Sequence, residues 1–174
     1  MNVLLMLHND HLHVVIKENG AFPNNKLLPV LLYRAILELP EHNAAQKIEL
    51  VFKENNWFNS WRNGIYPYHH YHSNTHEVLG VYAGHCDVAL GGDDENIYRL
   101  EKADVLIIPA GVAHKNIRSS ENFACVGAYP EGRSYDIKYG KPEERPDADE
   151  NIRNVPIPST DPVYGKGPLQ VYWK

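Results

Sequence analysis

The sequence predicts a mainly β fold: a small barrel of antiparallel strands, with two short N-terminal helices and an extended C-terminal arm. Three observations point there. From Gly64 to Tyr129 short apolar runs alternate with turn signals at close spacing, the pattern of hairpins in a sandwich or barrel. After Tyr129 the composition shifts, and residues 130–174 hold seven of the twelve prolines, too many for long helices or central strands. Between them, histidines crowd one strand end, with four of the ten at His69, His70, His72 and His76.

The 174 residues suit one domain spanning 1–174, long enough to bury a core. Within it, 20–60 reads as a helical segment, 64–129 as the barrel core and 130–174 as the arm. Hydrophobic content of 43% and charged content of 22% are those of an ordinary globular protein. The net charge of −5 and the lack of a basic run argue against nucleic acid, which requires positive charge to meet phosphates. No apolar run has the length to span a bilayer. MNVLLMLHNDH lacks a basic lead, so no signal peptide is expected and a cytoplasmic location is the default. Cys86 and Cys125 stand far apart without a CxxC pattern and read as two buried thiols.

Taken in order, residues 3–7 and 11–17 read as strands. His11 and His13 share a face of the second, with no carboxylate at ligand spacing beside them. GAFPNNK at 20–26 is turn chemistry. Leu27 to Leu39 reads as a short helix with Pro29 in its first turn, stopped by Pro40. A second helix is expected over 41–54, where Ala44, Ala45, Ile48, Val51 and Phe52 recur at helical spacing. Asn55 to Asn63 reads as a loop whose Trp57 and Trp61 contribute buried area. Strands follow over 65–72, 76–83, 85–91, 97–101, 104–108, 112–118 and 123–129. The arm is too apolar for a disordered tail, with Ile152, Val155, Ile157, Leu169 and Trp173 among its residues. It is expected to wrap the barrel or a partner subunit.

Strand parity carries the chemical argument. If 65–72 is a strand, Tyr66, Tyr68, His70 and His72 share one face, and His69 falls on the other. A turn at Ser73-Asn74 returns the chain, and Glu77 then faces the two histidines from the adjacent strand, opposite to His76. His114 follows a Pro-Ala-Gly turn and shares a face with Asn116 and Arg118. Three imidazoles and one carboxylate, His70, His72, His114 and Glu77, suit a borderline divalent ion such as Fe, Mn, Ni, Cu or Zn. A divalent ion beside one carboxylate keeps one net positive charge, and open positions would let it acidify a water or polarise a substrate oxygen. By parity His69 and His76 support the ligands or lie at the surface; a bulge near Ser73 would exchange His76 for His72 or Glu77. Tyr66, Tyr68, Asn116 and Arg118 share the inward parity and are candidates to line a substrate pocket. The HExxH order of zinc proteases is absent.

These residues resemble the two cupin motifs. G-x5-H-x-H-x4-E-x6-G is met by Gly64, His70, His72, Glu77 and Gly84. Of G-x5-P-x-G-x2-H-x3-N, Pro109, Gly111 and His114 match, while Ala103 and Arg118 replace the outer Gly and Asn. PNN at 23–25, LPVLLYRA, WFNSWRNGIYPYHHYHSNTHEVLGV, GAYPEG and DPVYG extend the likeness along nearly the whole chain, to small single-domain YjlB-like cupins. The resemblance implies a jelly-roll barrel (the double-stranded β-helix of RmlC-like proteins), a homodimer, and one metal held by the three His and the Glu. It implies no reaction. The expectation is a metal-dependent enzyme acting on a small organic molecule, of oxygenase or isomerase type. The alternative is a non-catalytic metal- or small-ligand-binding protein, a sensor or store. An interaction module with an exchanging arm is compatible with both.

Overall fold

The structure is a computed structural model and describes residues 11–174, so the strand expected at 3–7 lies outside the described residues. The elements are β1 (His11–Ile16), β2 (Asn25–Tyr33), α1 (Ala44–Glu54), β3 (Trp57–Asn63), β4 (Glu77–Ala83), β5 (His85–Leu90), β6 (Asn96–Glu101), β7 (Val105–Ile108), β8 (His114–Ser119), β9 (Ala124–Pro130), α2 (Asp147–Asn154) and α3 (Pro168–Tyr172). A 3-10 turn, Pro142–Glu144, precedes α2. Six strands form one sheet in the order β1-β2-β7-β4-β9-β3, and three form a second, β6-β5-β8. All strand pairs are antiparallel.

The larger sheet is buried on both faces. Its inner face meets the small sheet: Leu79 and Val81 of β4, Leu106 and Ile108 of β7 and Cys125 of β9 pack with Cys86, Val88 and Leu90 of β5. Its outer face carries α1 and the arm: Val78, Ile107, Val126 and Ala128 pack with Ile48, Phe52, Leu169 and Trp173. Burial on both faces explains why β4 and β7 read as continuous apolar runs instead of alternating ones. A Cβ added at Gly80 would lie 2.7 Å from Ile48 and 2.9 Å from Phe52, so β4 is trimmed where α1 presses on it. Phe52 is completely buried. Phe52→Ala is expected to lower stability by about 3–5 kcal/mol, the usual cost of a buried aromatic, read as a fall in the urea midpoint. A loss under about 1 kcal/mol would mean that α1 is not part of this core.

Only the second of the two expected helices forms. The stretch read as a helix over 27–39 is strand β2 and the turn after it. Its apolar run is buried because β2 lies between β1 and β7 in the doubly covered sheet. Pro29 falls in the β1–β2 register break between Val14 and Ile16, and before β7 pairing begins at Leu31, so its missing N–H interrupts no ladder. The expected loop over 55–63 is strand β3, paired to β9 with an irregularity between Phe58 and Trp61. That break puts Trp57 in the outer cluster and leaves Trp61 against the inner one. The expected strand over 65–72 is not one: only His70 and Tyr71 pair, through isolated bridges to His114 and Lys138. Pro67 and the stacked Tyr66 and Tyr68 rings, 5.1 Å apart, occupy the lead-in instead.

The arm wraps its own barrel, and it is less extended than expected because α2 and α3 fit between its prolines. Asp161, fully buried, accepts the Tyr33 hydroxyl at 2.6 Å and the Leu169 N–H at 3.2 Å through Oδ2. The indole of Trp173 donates to the Pro29 carbonyl at 2.8 Å, and that of Trp57 to Thr160 at 3.1 Å. His13 stacks on Tyr172 at 4.2 Å. Both cysteines are buried and free. Among the described residues no helix is long and apolar enough to cross a membrane.

Candidate metal centre

Two separate segments bring His70, His72 and His114 together: the lead-in before β4 and the start of β8. Each histidine can offer one ligand atom, and these atoms lie within 4.8 Å of one another. His70 and His114 exchange backbone hydrogen bonds at 3.2 and 3.0 Å, which lays the irregular lead-in along β8 and sets their rings 4.1 Å apart. The Gly111 N–H donates to the His72 carbonyl at 2.8 Å, joining the Pro109-Ala110-Gly111 turn to the first motif. Gly111 has φ +91, and a Cβ there would lie 2.5 Å from the Asn24 carbonyl, so this turn requires glycine. Pro23-Asn24-Asn25 anchors the same turn. Asn25 donates to the Ala110 carbonyl at 3.0 Å, and the Asn24 Oδ1 accepts the Ala113 N–H at 3.1 Å.

The imidazoles are oriented by backbone carbonyls. Nδ1 of His70 faces the Tyr68 carbonyl at 3.2 Å, Nδ1 of His114 that of Val112 at 3.1 Å, and Nδ1 of His72 that of Asp136. A carbonyl only accepts, so each Nδ1 carries a proton, and in the neutral ring each Nε2 keeps its lone pair. The Nε2 atoms of His72 and His114 lie 3.4 and 3.3 Å from Glu77 Oε2. That oxygen is buried without a hydrogen-bond partner. The other, Oε1, accepts the Tyr129 hydroxyl at 3.0 Å. The donor set therefore fits a divalent ion: bare imidazole nitrogens and a bare carboxylate oxygen converge where a buried charge otherwise lacks a counterion.

The electrostatics favour the ligand form at His70 and Glu77, while at His72 the ion would have to displace a proton that Glu77 favours. Burial, helped by His114, pushes His70 down to about 3, so it is neutral at pH 7 as a ligand must be. Burial also opposes charge on His72, but the Glu77 carboxylate outweighs it and raises its pKa. Burial would raise Glu77; His72 and His114 overcome it and hold the carboxyl well below the usual range.

The four residues form the floor of a cavity of about 160 Å3 whose walls include Trp61, Ile65, Tyr66, Tyr129, Tyr135 and Ile137. Of the other sequence candidates, Tyr66 reaches this wall, and Tyr68 stacks behind it and lends its carbonyl to His70. Asn116 and Arg118 do not line it. Asn116 pairs with Val88 on the His114 face, and its Nδ2 faces Ser119 at 3.2 Å. A bulge at Ile117 of β8, opposite the step from Asp87 to Val88, then reverses the parity, so Arg118 points outward onto Asp87 at 2.5 Å. His69 lies outside, with Nε2 3.2 Å from Asp94. His76 is buried behind the site, where its Nδ1 accepts the Ala110 N–H at 2.9 Å and its ring meets Trp173 at 4.6 Å. Burial lowers its pKa to about 3. His76 thus steadies the turn that carries His114 from the opposite face of β4.

Tyr129, Tyr135 and Asp136 escape the sequence reading, and Trp61, read there for its buried area, walls the cavity. Alternation along β9 contains the signal for Tyr129, which follows Cys125 and Gly127 on the inner face. Asp136 has no such signal. Beyond its carbonyl on His72, its carboxylate takes the Ser73 N–H at 2.7 Å and hydroxyl at 2.5 Å, and Asn151 of α2 donates to that hydroxyl at 3.0 Å.

Two antiparallel sheets enclosing a core, with a histidine cluster assembled from both sequence motifs, define a cupin. No family model matches the chain. It is 39% identical over 157 residues to "Uncharacterized protein YjlB" of Bacillus subtilis (strain 168), covering 90% of this chain and 92% of that one. Among solved structures, RmlC from Streptococcus suis in complex with dTDP-D-xylose aligns with TM-score 0.34 and 16% identity, over 83% of this chain and 94% of that one. The 11S allergen of Cocos nucifera aligns with TM-score 0.38 and 20% identity, over 54% of this chain and 31% of that one. The chain thus spans less than a third of that allergen's length. The chain belongs to the YjlB family of cupins.

Proposed function

We propose that this protein is a metal-dependent enzyme acting on a small organic molecule, with one divalent transition metal held by His70, His72, His114 and Glu77. One observation carries the reading: bare Nε2 atoms and a bare, buried carboxylate oxygen meet at the floor of a cavity. When bound, such an ion supplies a Lewis acid with positions to spare for a substrate oxygen or O2, the chemistry of an oxygenase or an isomerase. The chain's own residues do the rest. Carbonyls of Tyr68, Val112 and Asp136 keep the imidazoles in the ligating tautomer. Aromatic and aliphatic walls exclude water and favour an apolar body.

The cavity also limits the substrate. At about 160 Å3 it is comparable to the apolar cavity of about 150 Å3 that accepts one benzene. The Arg62 guanidinium at its edge is held by Glu49 at 2.7 and 2.8 Å, so it is not free to meet a substrate anion. The remaining positive charge is the ion's own, partly offset by Glu77. A molecule of a few carbons with one anionic oxygen fits that description. The reading includes a cytoplasmic homodimer; the buried free thiols accord with a reducing compartment.

The test is elemental mass spectrometry on untagged protein purified without chelator, followed by azide titration of the loaded protein. One equivalent of a transition metal with an azide-dependent spectrum is expected. Metal at one equivalent that ignores azide and small carboxylates would favour the non-catalytic binder. Absence of stoichiometric metal would remove both readings.

A further inference from the structure

We propose that Tyr129 is a positioning residue that holds Glu77 to its metal through Oε2 alone, with Trp61 setting the direction of the hydrogen bond involved. The proposal rests on the metal reading above. Its basis is proton counting. An indole N–H can only donate, and Trp61 Nε1 lies 2.8 Å from the Tyr129 hydroxyl. That hydroxyl therefore accepts from Trp61, and its single proton is left for Glu77 Oε1, 3.0 Å away. The two carboxylate oxygens become different. Oε1 is committed to the hydroxyl, whereas Oε2 is bare and faces His72 and His114.

A carboxylate that binds through both oxygens takes two positions around an ion. Held to one oxygen, it leaves a further position for water or substrate. The clamp thus protects the vacancy that chemistry needs. The packing is built for it. Trp61 pairs with Gly127 across β3 and β9, and a Cβ on Gly127 would lie 2.2 Å from the indole ring. The absent side chain is what lets the indole lie over β9 and reach Tyr129. Tyr135 stacks on the Tyr129 ring at 4.7 Å, so the ring has packing of its own apart from its hydroxyl.

The experiment loads apo protein with Mn2+ and counts exchangeable waters on the ion by 17O-water hyperfine spectroscopy, alongside Mn2+ affinity. Tyr129→Phe keeps the ring and removes the proton. It is expected to hold one water fewer than wild type and to change Mn2+ affinity by about tenfold or more. A role in packing alone would leave the water count unchanged. The same count in wild type and Tyr129→Phe overturns the clamp and leaves the metal reading standing. A wild type that takes up no stoichiometric Mn2+, Fe2+ or Zn2+ overturns both. Apo melting curves establish that the variant folds. If it does not, Trp61→Phe, which keeps the hydroxyl but frees its direction, carries the test: a reduced mean water count supports the clamp and an unchanged one overturns it.

Discussion

His72→Ala is expected to take the protein from one equivalent of bound metal to less than about a tenth, when purified in parallel without chelator. The variant removes one of three convergent imidazoles, so its effect should exceed the 10–100-fold typical of lost supporting contacts. It also exposes the Asp136 carbonyl, which loses its Nδ1–H partner. His69→Gln and His76→Gln are the contrast. His69 meets Asp94 outside the cavity, and His76 meets the Ala110 N–H behind it. Both variants should keep the metal. His76→Gln should cost about 1–3 kcal/mol in stability if its amide fails to satisfy the Ala110 donor. Metal that persists at one equivalent in His72→Ala would show that these histidines are not the ligands.

Parity explains how far the sequence could be read. Side chains alternate along any extended segment, whether or not it joins a sheet. For that reason His70, His72 and Glu77 converge although 65–72 is not a regular strand. The same rule misplaces Arg118, because a bulge inserted in β8 leaves no mark in the sequence that alternation can detect. The misread helix over 27–39 has a related origin. A strand buried on both faces and a buried helix share one apolar pattern, and Pro29 is compatible with either at an irregular position. Chain-distant contacts were the least legible. Asp136 meets His72 from a loop sixty-odd residues on, held by Ser73 and Asn151, and no local pattern announces it.

Trp173→Ala is expected to lower stability by about 3–5 kcal/mol, among the largest losses available to a single substitution outside the metal site. Trp173 is 2% exposed although it stands next to the last residue. Its ring packs on His76 and its indole N–H is satisfied by the Pro29 carbonyl. Truncation leaves a cavity, an unpaired carbonyl and an uncovered outer sheet face together. Val78 and Ile107 on that face would meet water. Of the proposed ligands only Glu77 lies on these strands, at the start of β4, while His70 and His72 lie in the irregular lead-in and His114 on β8 of the small sheet, so Trp173→Ala should still reach one equivalent at saturating metal. Metal binding then stabilises the variant by mass action, since the unfolded chain does not preserve the site. The measurement is urea unfolding of apo and loaded forms, with metal content read on the folded fraction. A loss below about 1 kcal/mol in the apo form would show that the arm is dispensable to the core. A variant that folds but cannot be loaded would show that the outer cap, through His76 and the Ala110 turn, sets the position of His114.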